Sequence, residues 1–134
     1  MAKLEIIEGI GSVYAEKLRQ SGIRTIEALL EAGATPAGRL RLEQKTGIYH
    51  ALILESVNLA DLMRIKGVGE EYSDLLEEAG VDTVRELRNR VPEHLHQAMV
   101  DVNVAKRLVR RLPTLKMVRD WVQQARALPP KLTY

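Results

Sequence analysis

The sequence contains no cysteine and no phenylalanine, its aromatic residues amount to 4% of 134, and Trp121 is its single tryptophan. Without cysteine there is no disulfide framework, thiolate zinc site or cysteine nucleophile, and a reducing compartment such as the cytoplasm is the expected location. The shortage of aromatic side chains removes the stacking arrays on which single-strand nucleic-acid binders rely. No apolar run approaches the roughly 18 residues of a membrane span. The opening MAKLEIIEGIG is interrupted by Glu5 and Glu8 where a signal peptide needs an apolar stretch. What remains is a chain that is 46% hydrophobic and 28% charged, the composition of one soluble domain over residues 1–134 with a real core and no membrane partner.

The formal charge of +2 hides an uneven distribution. Residues 1–60 carry seven basic and seven acidic side chains, residues 61–100 five and nine, and residues 101–134 eight and two. An acidic middle is thus followed by a basic end.

The chain also repeats itself. IEGIGSVYAEKLRQSGIRTIEAL from Ile7 superposes on IKGVGEEYSDLLEEAGVDTVREL from Ile65 at an offset of 58 residues. Identical pairs include Gly9/Gly67, Gly11/Gly69, Tyr14/Tyr72, Leu18/Leu76, Gly22/Gly80 and Thr25/Thr83. A weaker match at an offset of 56 aligns Gly47/Asn103, Leu52/Leu108, Ile53/Val109 and Leu59/Leu115. Because Gly and Asn both tolerate a left-handed cap, the first of these pairs predicts one shared backbone shape.

Local punctuation is helical throughout. Asn58 predicts an N-cap for a short helix through Leu59, Leu62 and Met63. A helix over about 70–79 then presents Tyr72, Leu75, Leu76 and Ala79 on one face, with Gly80 at its C′ position. Thr83 caps another short helix, and Pro36, which follows the N-cap Thr35, and Pro92 suit first-turn positions. Helical spacing continues from Val104 through Leu108, Leu112, Leu115, Val118, Val122 and Ala125, with Pro113 as a break. Pro129 and Pro130 end regular structure. No segment alternates with a strand's period of two, so the fold class expected is all-α.

At IEGIGSVYAEKLRQSGI and IKGVGEEYSDLLEEAGV the sequence resembles the helix-hairpin-helix motif of DNA repair glycosylases, polymerases, ligases and nucleases. The matching positions are Gly9, Ile10, Gly11, Ala15, Leu18, Gly22 and Ile23, and then Gly67, Val68, Gly69, Ser73, Leu76, Gly80 and Val81. The chain as a whole is similar to a bacterial family of tandem helix-hairpin-helix proteins that is a domain of unknown function. The resemblance implies a SAM-like architecture with two pseudo-repeats in one compact helical domain: residues 1–56, residues 57–128, and a tail over 129–134. It also implies contact with the DNA backbone through the first hairpin, at Gly9, Ile10, Gly11, Ser12, Lys17 and Arg19.

The chemistry of such a turn follows from its residues. Glycines permit a sharp reversal and leave no Cβ between backbone and ligand, and helix-start amides with the helix dipole favour an anion. Contacts of this kind read phosphates, not bases. Glu70 and Glu71 would repel an anion from the second copy, leaving it a structural partner. Two readings of the glycine turns compete: phosphate binding, or tight connectors that close helix pairs.

The basic segment KRLVRR has three. On a continuous helix Lys106/Arg110 and Arg107/Arg111 lie four apart, which makes a phosphate-contacting stripe, an ordinary solvated face, or a partner for the acidic second hairpin. His94 and His96, two apart, diverge on a helix and make no metal pair. No catalytic constellation is visible, and neither an enzymatic activity nor a cofactor is expected. The function expected is weak, sequence-independent binding of duplex DNA. The alternative is a protein-interaction or scaffold module that uses the acidic second hairpin.

Overall fold

A computed structural model describes Leu4, Ile7 and residues 10–134. The described residues form eight α-helices and no strand, and no helix among them is long and apolar enough to cross a membrane. The chain divides into two compact units, residues 1–61 with 131–134, and residues 62–130.

In the first unit, Leu4, Ile7 and Ile10 are buried, and two short turns link them: Ile7 N–H donates to the Leu4 carbonyl at 3.1 Å and Ile10 N–H to the Ile7 carbonyl at 3.2 Å. They lead into α1 (Gly11–Gln20), which buries Ala15 and Leu18. Its end is a Schellman cap. Gly22 has φ +90°, Ile23 N–H returns to the Leu18 carbonyl at 2.9 Å, and Gly22 N–H to that of Arg19 at 3.0 Å. Thr25 caps α2 (Ile26–Ala32) by accepting from Ala28 N–H at 3.0 Å. Thr35 does the same for α3 (Pro36–Thr46), with Pro36 in the first turn.

The helix α4 (His50–Leu62) is longer than its sequence suggests. Asn58 lies inside it and caps nothing. Leu52, Ile53, Val57, Leu59 and Ala60 are all buried, so a continuous helix hides more apolar surface than one interrupted at residue 58. The Asn58 side chain instead accepts a 2.6 Å hydrogen bond from the Tyr134 hydroxyl. Residues 131–134 are thereby part of the first unit. Leu132 is buried, Thr133 N–H donates to the Ala34 carbonyl at 2.8 Å, and Lys131 pairs with Glu31 at 2.9 Å. Buried Arg39 donates to the carbonyls of Gly33 (2.8 Å) and Thr133 (2.6 Å) beneath the Tyr134 ring.

The second unit opens on corresponding turns. Ile65 N–H donates to the Leu62 carbonyl and Val68 N–H to the Ile65 carbonyl, both at 3.1 Å. Then come α5 (Glu70–Glu78), α6 (Val84–Leu87), α7 (Pro92–Lys106) and α8 (Leu115–Ala127). The end of α5 repeats the Schellman pattern, with Gly80 at φ +97° and Val81 N–H on the Leu76 carbonyl at 2.9 Å. Thr83 caps α6. Trp121 is buried on the apolar face of α8, its ring 5.3 Å from that of Tyr72.

The stretch after α7 departs from the helical expectation. The helix ends at Lys106, Arg107 takes the left-handed conformation at φ +52°, and residues 107–114 are not helical. The cause is Asn103, whose side chain accepts from Val109 N–H at 3.0 Å and donates to the Val109 carbonyl at 3.2 Å. One side chain satisfies both backbone groups of a buried residue, so no helix is needed there. Asn103 is itself helical and shares no backbone shape with Gly47, the left-handed cap of α3 at φ +71°. Likewise Leu52 and Ile53 are helical where Leu108 and Val109 are not.

Replacing Asn103 with alanine strands both Val109 groups. Urea unfolding should show a loss of about 1–3 kcal/mol, and the Val109 amide should lose its hydrogen-exchange protection.

Candidate functional site

The first turn of α1 is built from the inside out. Ile10 is buried, which fixes where the helix starts, and Gly11 follows at φ +62° with open space where a Cβ would stand. No side chain caps this end and its first turn holds no acidic residue. The first amides of a helix have no intrahelical acceptor. Ser12 is exposed and Val13 is 67% exposed. Ser12, Val13, Glu16, Lys17 and Gln20 line an open groove of about 480 Å³ along this face.

Lys17 stands on that groove with its ammonium 5.7 Å from the Tyr14 ring centre. Arg19 does not line the groove but lies 3.6 Å from the carboxylate of Glu16, which does. The Tyr14 ring meets that of Tyr49 edge to face, at 6.5 Å and 76°. The structure therefore brings Ile10, Gly11, Ser12 and Lys17 together, with Arg19 aside in an ion pair; Gly9 lies outside the described residues. The neighbourhood of Tyr49 with Tyr14 is not visible in the sequence, because it depends on how α3 is joined to α4.

The second turn has a different geometry. Gly69 is extended at φ −109° where Gly11 is left-handed. Gly67 carries the positive φ, +96°, and a Cβ there would approach Trp121 Nε1 to 3.1 Å. Exposed Glu70 and Glu71 occupy the first turn of α5. Further along, carboxylate oxygens of Asp74, Glu77 and Glu78 lie within 4.8 Å of one another, and Lys106 forms an ion pair with Glu78.

Lys106 is the last residue of α7, and Arg107, Arg110 and Arg111 are exposed in the loop that follows. The helical stripe of paired cations expected over 106–111 is not formed, since Asn103 ends the helix. The loop is held by the Tyr72 hydroxyl on the Arg111 carbonyl at 2.9 Å and by His96 Nε2 on the Pro113 carbonyl at 2.9 Å. Arg119 donates to Glu93 at 2.9 Å and holds that carboxyl below its ordinary range. Acidic and basic segments thus share the second unit, whose twelve basic and ten acidic side chains nearly balance.

Glu86 behaves differently. Its hydrogen bond with the Asp82 carboxylate, followed by burial and by the Asp82 charge, pushes its carboxyl up to about 7, against the pull of Arg90. A carboxyl raised in the folded state binds more protons than in the unfolded chain. Its stabilising contribution is complete below the ordinary carboxyl range and is lost as pH rises through about 7. A carbon-detected NMR titration should show Glu86 titrating near neutrality, and Asp82→Asn should return it toward 4.5; an ordinary Glu86 midpoint in the unmodified protein would contradict the assignment.

Among known proteins, no curated protein and no solved structure matches the chain. A family model described as Domain of unknown function (DUF4332) matches residues 8–128. With nearly the whole length matched, the chain belongs to this family.

Proposed function

We propose that the protein is a tandem helix-hairpin-helix module whose first hairpin binds the phosphate backbone of duplex DNA weakly and without sequence preference. The tandem reading draws support from turns that agree pair by pair: Ile7 with Ile65, Ile10 with Val68, Gly22 with Gly80, and Thr25 with Thr83. The DNA reading draws on one contrast. The start of α1 has no acidic residue, a left-handed Gly11 open to solvent and Lys17 on the adjoining groove, whereas α5 begins with two glutamates. A phosphate at α1 meets amides, the positive end of the helix dipole and the Lys17 cation, while the Glu16 carboxylate on the same groove is paired with Arg19. At α5 it meets two carboxylates.

With two or three phosphate contacts, the logarithm of the binding constant should fall with a slope of about −2 to −3 against log salt, and the dissociation constant should lie near 10⁻⁴ to 10⁻⁶ M. The exposed loop cations Arg107, Arg110 and Arg111 form a secondary patch in this reading, and Lys106 contributes less because it is paired with Glu78. A protein-interaction role is the second reading. It rests on the exposed Glu70 and Glu71 with the carboxylates of Asp74, Glu77 and Glu78 beyond them.

The second copy supplies the test. Ser12→Glu with Val13→Glu gives α1 the residues that stand at Glu70 and Glu71, which suit a helix start and leave the fold intact. Fluorescence anisotropy with a blunt duplex at low salt should show at least tenfold weaker binding, and Lys17→Ala should reduce the salt slope by about 1. Unchanged binding by the folded double variant removes the first hairpin from the account. Absence of any binding by the unmodified protein favours the interaction reading.

A further inference from the structure

Tyr49 leaves 58% of its surface exposed, although its backbone is held tightly. Gly47 caps α3 in the left-handed conformation, its N–H on the Glu43 carbonyl at 2.9 Å. The Thr46 hydroxyl donates to the Leu42 carbonyl at 2.6 Å and accepts from Ile48 N–H at 3.1 Å. Ile48 is buried, and the Tyr49 carbonyl accepts from Ile53 N–H at 3.2 Å as α4 begins. A three-residue connector with its middle side chain driven inward leaves the next one facing solvent. The Tyr49 ring is then steadied by its edge-to-face contact with Tyr14, a residue of the first turns of α1.

We propose that Tyr49 is a stacking platform for an unpaired base, and that the preferred ligand is duplex DNA carrying a short single-stranded end or gap. The proposal rests on the DNA reading above. A tyrosine whose backbone is held and whose ring rests against Tyr14 loses little freedom on binding, and every nucleobase offers a π face to such a ring. Tyr49 is joined to the α1 site through Tyr14: the two ring centres are 6.5 Å apart, and the Lys17 ammonium lies 5.7 Å from the Tyr14 ring centre. A strand whose phosphate is held by Lys17 therefore runs beside Tyr14, and an unpaired base next to that phosphate comes within reach of the Tyr49 ring.

Inside an intact duplex both faces of each base are covered by neighbours, so this platform has nothing to stack on. A long single strand, in turn, needs several successive platforms, and aromatic residues are only 4% of this chain. One platform beside one phosphate site fits a junction. The scarcity of aromatics thus restricts base stacking to a single position without removing it.

The experiment compares a blunt duplex with the same duplex bearing a three-nucleotide overhang, with 2-aminopurine as its first unpaired base. The unmodified protein should bind the overhang at least fivefold more tightly and quench the 2-aminopurine emission. Tyr49→Ala should abolish preference and quenching while retaining affinity for the blunt duplex, and Tyr49→Phe should keep both; circular dichroism checks that the variants fold. Equal binding of the two DNAs by the unmodified protein, or quenching that survives Tyr49→Ala, overturns the stacking role while the backbone-binding reading stands. Equal losses on both DNAs in Tyr49→Ala make the residue a backbone contact and likewise overturn it. No binding to either DNA at low salt overturns both.

Discussion

Burial of one apolar side chain at the entrance to a helix governs most of what this protein displays. Ile10 in the first unit and Val68 in the second are held in the core, each at about 1.5–3 kcal/mol for a fully buried side chain of this size. With that residue fixed inside, the helix that follows must begin at the surface, and its first amides must face whatever lies there. A glycine beside it with positive φ, Gly11 in the first unit and Gly67 in the second, makes the reversal possible. The apolar anchor places the helix start, and the residues after it decide what that start can bind.

The two units answer that question in opposite ways. Ser12 and Val13 leave the start of α1 uncharged, and Lys17 lies one turn further on. Glu70 and Glu71 complement the dipole of α5 internally, and Lys106 takes up part of the acidity beyond them. Part of the contrast between acidic middle and basic end seen in the sequence is thereby matched inside the second unit, by Lys106 with Glu78 and Arg119 with Glu93. An opposite distribution of charge need not signal two binding surfaces; here part of it is an internal match.

Short-range signals are legible in the sequence. Thr35 and Thr83, expected as N-caps, each accept an amide three residues on, as do Thr25 and Thr114, and Gly80, expected at a C′ position, ends α5 with the same hydrogen bonds by which Gly22 ends α1. These depend on a few neighbouring residues. Asn58, Asn103 and Arg39 were not legible, because their roles are set by distant partners or by side chains that replace backbone bonds. Asn58 looks like a helix start until Tyr134 is seen to occupy it, 76 residues away. Asn103 looks like a left-handed cap until both polar groups of Val109 are found on its side chain. Arg39 has no local signal of burial, yet it is 3% exposed and bonded to a carbonyl 94 residues on. At the candidate site, Gly11, Ser12 and Lys17 were legible from the motif, whereas the exposure of Tyr49 required the backbone of the α3–α4 connector.

The central claim is that backbone amides at the start of α1 meet phosphate. Amide chemical shifts followed by ¹⁵N–¹H correlation spectra during a low-salt titration with duplex DNA test it most directly. The account predicts that the largest movements fall on Gly11, Ser12 and Val13, fade along α1 beyond Lys17, and are small at Glu70 and Glu71. Movements concentrated elsewhere, with the amides of Gly11 to Val13 unmoved at saturation, would contradict it.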